Sequence, residues 1–214
     1  MKGPVAWLLA GGFAGAIGVV VWAAIAYYTG FEIGYIAIGI GALVGLAIKA
    51  VDNEGGMARG LAAAIIAALS IAGGKYAAVS LHVGDEIDSA MASVDFSDEF
   101  VKTFLADAIA EREMEAGNEL AWPDDSNADS FDATGADYPP EVWAETEAAW
   151  AAFTETDRQQ WRDTAQHTVR TTFDQMSSMV TEGAFAASFG ILDILFFGIA
   201  VFAAFKVAAT EGEG

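Results

Sequence analysis

The chain contains no cysteine and only two histidines, His82 and His167. Disulfides, iron–sulfur clusters, thiol nucleophiles and cysteine-based zinc sites are therefore excluded, and a histidine zinc site would need unusual companions. Basic residues are scarce as well: 10 Lys and Arg face 30 Asp and Glu, for a formal net charge of −20. A field of that sign opposes nucleic acid and anionic lipid headgroups as partners. It suits cations, a basic protein partner, or solvation in a salty medium, and the scarcity of lysine fits a salt-adapted organism. No HExxH, P-loop, dinucleotide fingerprint or nucleophile elbow occurs in the sequence. No catalytic residue, cofactor or metal ligand is assigned on these grounds, and the expectation is a protein that is not an enzyme.

The chain does have long apolar runs: Pro4 to Tyr28, Phe31 to Ala50, Leu61 to Val83 and Gly183 to Val207. Each supplies roughly the ~20 residues that a helix needs to cross ~30 Å of hydrocarbon. The first is too long for a signal-peptide core and a second follows almost at once, so it is expected to be a retained span. Tyr28-Thr29-Gly30 allows a tight helical hairpin, with Tyr27 and Tyr28 at the interface that amphipathic rings prefer. Val51 to Gly60 has turn composition, with Asp52, Asn53, Gly55 and Gly56.

Charge is split along the chain. Residues 84–182 carry 24 Asp and Glu against 5 Lys and Arg. The predicted fold is all-α and polytopic. Residues 1–83 form a three-span transmembrane region, 84–182 an acidic helical extracytoplasmic domain, and 183–214 a fourth span with a short cytoplasmic tail. Lys2, Lys49, Arg59 and Lys206 then fall on one side of the membrane. The positive-inside rule puts both termini in the cytoplasm and 84–182 outside, which for a bacterial inner (plasma) membrane means periplasmic or extracellular.

Two small-residue pairs, Gly11-x-x-x-Gly15 and Gly41-x-x-x-Gly45, each place glycines one turn apart on a helix face. Backbones can approach there, so packing replaces a hydrophobic force that lipid does not provide. Tight packing within the monomer is the expectation; a pore lining or an oligomer seam is the alternative.

Two charges interrupt the spans. Lys75 lies 16 residues from Arg59 and Asp193 lies 13 from Lys206, depths of ~24 and ~20 Å along a helix. Glu32 is closer to a span end. A charge at such depth is costly unless paired, so an intramembrane ion pair Lys75–Asp193 is expected. It is either a clamp between spans three and four or a proton or ion relay.

The acidic segment reads as three helices and a loop. Phe96, Phe100, Phe104 or Leu105, and Ala108 or Ile109 recur at helical spacing, with Ser97 or Asp98 as cap and Gly117 as stop. Asn118 to Tyr138 is a loop. Pro139-Pro140 opens a helix in which Trp143, Trp150 and Phe153 share a face. Thr154 with Asp157 resembles a capping box, and Trp161, Ala165, Val169, Phe173, Met176 and Val180 form the stripe that follows. That helix is expected to run into the last span, with Glu182-Gly183 as its one kink. In the loop, Asp125, Asn127 and Asp129 match the first ligand positions of an EF-hand. Ser130 and Ala136 then replace its turn glycine and bidentate glutamate, which leaves a weak cation-loop candidate at most.

Residues 33–45, Gly74-Lys75-Tyr76, the helix start Tyr138-Pro139-Pro140-Glu141-Val142-Trp143 and residues 190–206 resemble an uncharacterised family of bacterial four-span inner-membrane proteins. The resemblance covers about half of the chain and implies four spans with an extracytoplasmic insertion between the third and fourth. Many members carry an N-terminal zinc ribbon that is missing here, so no metal role follows. The functional expectation is a non-enzymatic accessory or scaffolding subunit of a larger membrane assembly. Its partners would be membrane lipid, other membrane subunits or further copies of itself, and no nucleic acid. The rivals are a small ion or proton transporter or channel using Lys75 and Asp193, and an extracytoplasmic cation sensor.

Overall fold

The structure is a computed structural model that describes residues 3–30 and 34–211. Lys2 and Glu32, both used in the sequence reading, lie outside the described residues. All regular structure among the described residues is helical: α1 (Pro4–Thr29), α2 (Gly34–Val51), α3 (Met57–Ser93), α4 (Asp98–Glu115), α5 (Pro140–Ala152), α6 (Glu155–Ala187) and α7 (Ile191–Ala209), with a 3-10 turn at Gly135–Asp137. The chain forms two compact units. One comprises Met1–Glu86 and Ser177–Gly214, the other Ile87–Met176.

Four helices, α1, α2, α3 and α7, are long and apolar enough to cross a membrane. Pro4 opens α1 where a missing N–H does no harm, and Gly30 closes it in the left-handed conformation (φ 65°), its N–H bonded to the Ala26 carbonyl. α2 packs against both α1 and α7. The shared core is built of small or β-branched side chains, among them Val44, Ile48, Ala63, Ala67, Ala200 and Ala204. Leu9, Phe13, Leu69, Leu192, Ile194 and Phe202 point outward instead. An exterior of that kind is costly in water and suited to lipid.

The turn after α2 is tied to the end of α7. Gly56 (φ 109°) donates its N–H to the Ala209 carbonyl at 2.9 Å. The Arg59 guanidinium reaches Asp52 at 2.5 Å and Glu54 at 3.1 Å, and also the Gly55 carbonyl. Lys49, Arg59 and Lys206 therefore lie towards the same end of this bundle.

Two sequence-predicted boundaries are corrected. α3 does not stop at Val83 but continues to Ser93. Loss of hydropathy ends a span, not a helix, because Asp85, Glu86 and Asp88 leave the backbone ladder intact. The last apolar run is not one span either. The helix assignment of α6 runs unbroken through Glu182-Gly183, and the chain breaks at Ser188–Gly190. There the Ser188 hydroxyl donates to the Phe185 carbonyl at 2.7 Å, and Gly190 turns extended (φ −89°, ψ 171°).

In the second unit the Ser97 hydroxyl accepts the Phe100 N–H at the head of α4, and Asp98 and Glu99 sit in its first turn, where the helix dipole favours anions. Gly117 (φ 84°) follows the end of α4. α4 packs on α5, around Val101, Leu105, Ile109, Tyr138, Val142 and Trp150. Thr154 and Asp157 exchange hydrogen bonds at the head of α6. Phe153 caps α5 instead of belonging to it, so it meets Trp150 edge-on from outside the helix rather than sharing a helix face with Trp143 and Trp150. Along α6, Ala165 and Val169 are buried and Phe173 stacks on Phe131, but Met176 and Val180 are exposed, so the predicted stripe covers only the first half of that helix.

Candidate functional site

The Ser188–Gly190 break positions the charged site. A helix that starts anew leaves its first N–H groups without intrahelical partners, and α7 meets that need with its own third residue. Asp193 Oδ2 accepts the Gly190 N–H at 2.8 Å. The same oxygen lies 3.3 Å from Lys75 Nζ, which α3 carries inward on a side chain only 2 % exposed. The Phe189 ring, in the break itself, lies 4.9 Å from that nitrogen. The structure thus brings Lys75 and Asp193 together. It puts Asp193 in the first turn of α7, with unbroken helix from there to Lys206, so the ~20 Å separation counted along the helix stands. A capping role and a counter-ion role converge on one carboxylate, and the α7 dipole favours its negative charge.

A cavity of about 10 Å³ adjoins the pair, bordered by Trp22, Ile71, Lys75, Phe189, Asp193 and Phe197. Trp22 is 3 % exposed, and its indole Nε1 has no hydrogen-bond partner among the described residues. Space of this size holds about one water molecule. Elsewhere in this unit Tyr27 donates to Asp85 at 2.5 Å, and its ring lies 5.5 Å from that of His82.

The four candidate packing glycines are all spent inside the bundle. A Cβ at Gly11 would stand 2.8 Å from Ile48, and one at Gly15 would stand 3.0 Å from Ile66 and still closer to the Ser70 hydroxyl. At Gly41 it would meet the Ala200 backbone, with the Ala200 carbonyl carbon at 2.8 Å; at Gly45 it would lie 2.8 Å from the Ala204 carbonyl oxygen. These positions let α1, α2, α3 and α7 approach each other, so they are not open faces for a partner.

The cation-loop candidates do not converge. The Asn127 N–H bonds to Asp137 Oδ1 at 3.0 Å, while Asp137 Oδ2 takes the Thr134 N–H and hydroxyl. These bonds hold the Asp137 carboxyl below the usual carboxylate range. Asn127 and Asp129 line one cleft with Asp107, while Asp125 is exposed and not part of its wall. Among the described residues no group of three or more His, Asp or Glu is placed to hold a metal ion.

Sequence reasoning passed over Asp107. Its Oδ1 accepts the Tyr138 hydroxyl at 2.7 Å. Partial desolvation by the neighbouring side chains raises the pKa of this otherwise exposed carboxyl group, the Tyr138 bond opposes that, and nearby Asp129 adds to it. The Tyr138 phenol is pushed up in turn, by burial first and then by Asp107. An i, i+31 pairing across a loop leaves no local signal; a tyrosine ahead of Pro139-Pro140 was the one hint. Compared with protein-family models, curated proteins and solved structures, the chain gives no match.

Proposed function

We propose that this chain is a non-enzymatic accessory or scaffolding subunit of a larger membrane assembly, anchored by four spans and presenting an acidic helical domain outside the cytoplasm. The observation that carries the reading is the Lys75–Asp193 pair, in which a buried ammonium on α3 meets the carboxylate that caps the start of α7. The pair joins α3 to α7, and the space of about 10 Å³ beside it has room for about one water. A clamp is the role such a geometry serves best. The rival reading, a small ion or proton transporter, uses the same two charges and needs a wider, branched polar path.

The grouping of Lys49, Arg59 and Lys206 at one end supports cytoplasmic termini in a bacterial inner membrane, with the acidic segment on the other side. Because the packing glycines are used internally, partners would dock on the acidic domain and on lipid-facing side chains such as Phe13, Leu69 and Phe202. The resemblance to the four-span family belongs to this same reading. Extraction from its own membranes in mild detergent tests it, with native mass and co-purifying chains as readouts. Migration in a complex with other membrane subunits is expected. Migration alone, or only with copies of itself, would overturn the accessory reading.

A further inference from the structure

The acidic domain has a concavity that the Lys75–Asp193 clamp does not use. Two clefts of about 310 and 300 Å³ share Asp107, Ala128 and Asp129 as a common wall. Trp122 lines the first; Phe100, Phe104 and Phe131 line the second. Trp122 and Phe131 are 39 % and 45 % exposed, so these rings stand in water beside carboxylates rather than in the core. They are held in place: Phe131 stacks on Phe173 at 5.6 Å and Trp122 lies 6.0 Å from Tyr138. The loop that carries Asp129 and Phe131 is fixed through Asp137 and through the Ser130 N–H, which bonds to the Asn127 carbonyl at 2.9 Å.

We infer that this cleft binds a small organic ammonium ion. Volumes of this order suit a small molecule, and aromatic faces attract alkylated ammonium groups while the carboxylates supply the counter-charge. Besides Asp107 and Asp129 the lining side chains offer only neutral oxygens, from Asn127, serines and threonines, and among the described residues no three acidic or histidine groups are placed for a metal. The aromatic lining, which a metal ion would not use, favours an organic cation. Tyr138 pins one Asp107 oxygen and leaves the carboxylate further acceptor capacity.

The test is calorimetric titration of the full chain in detergent micelles with choline, and with 3,3-dimethylbutan-1-ol as its uncharged isostere. Physiological ionic strength screens diffuse attraction to the −20 chain. Saturable one-to-one binding of choline without binding of the isostere is expected. Asp129→Asn and Phe131→Ala should each weaken it by about tenfold, with the thermal unfolding midpoint recording that the fold is kept. Glu115→Gln, an equal charge change outside the cleft, should leave it unaltered. Non-saturating uptake, equal binding of the isostere, or a Glu115→Gln loss matching that of Asp129→Asn would overturn the inference.

Discussion

One oxygen of Asp193 serves two partners, the Gly190 N–H and Lys75 Nζ. Its replacement therefore separates two roles. Asp193→Asn keeps a good capping acceptor and removes the charge, whereas Asp193→Leu removes both. Unfolding in mixed detergent micelles should show a loss on the order of 2–3 kcal/mol for Asp193→Leu and about half of that for Asp193→Asn. The estimate sits below that for a fully buried pair because the Asp193 side chain is 26 % exposed. Equal losses for the two variants would remove the capping role. Lys75 and Asp193 stand out in the sequence because a charge inside an apolar run has few places to go. Trp22, Phe189 and Asp107 do not, because an aromatic in a span or an acid on an acidic helix looks ordinary until the fold supplies its neighbours.

Helix–helix approach is set by particular glycines rather than by glycine content. Gly41→Ala would bring a Cβ against the Ala200 backbone and force α2 away from α7, while a Cβ at Gly39 meets nothing within 4 Å. Thermal stability in detergent should fall clearly for Gly41→Ala, by about 2 kcal/mol or more, and stay within about 0.5 kcal/mol for Gly39→Ala. Similar behaviour of the two variants would contradict the close α2–α7 packing. Gly41 is marked in the sequence by Gly45 one turn on, which Gly39 lacks, but that α7 is the helix it meets is decided by tertiary packing. Helix starts were more legible, because Ser97, Pro139-Pro140 and Thr154 act through local chemistry that needs no partner helix. The break at Ser188–Gly190 was not. Gly183 looked the weaker point, yet a lone glycine is tolerated inside a helix, and the real interruption depends on a carboxylate three residues beyond it.

Across the whole molecule, charge and hydropathy are segregated. Lys102, Arg112 and Arg162, three of the five basic residues of the acidic segment, are each drawn into pairs with acids, as in Arg162–Asp98 at 2.9 Å and Arg112–Glu145 at 2.8 Å. The Arg162 bond holds the Asp98 carboxyl below its ordinary range, with help from the Trp150 N–H, and local hydrogen bonds do the same for Asp137 and Asp157. A depressed carboxylate adds stability above its unfolded value, and that stability is lost as pH falls through the folded value. Acid unfolding, followed by tryptophan fluorescence, should therefore set in below about pH 4. It should begin at higher pH in Arg162→Gln. An unchanged acid limb would show that these bonds do not couple to folding.

The central claim is that the spans separate the basic end of the bundle from the acidic domain. Because the chain has no cysteine, any introduced one is unique and reports its own side of the membrane. Asn53, in the turn after α2, and Asp125, in the loop of the acidic domain, are both exposed. The decisive measurement is labelling of Asn53→Cys and Asp125→Cys with a membrane-impermeant maleimide in intact cells. Labelling of Asp125→Cys in intact cells and of Asn53→Cys only after lysis is the result expected. Labelling of both from one side, or the reverse pattern, would contradict the topology.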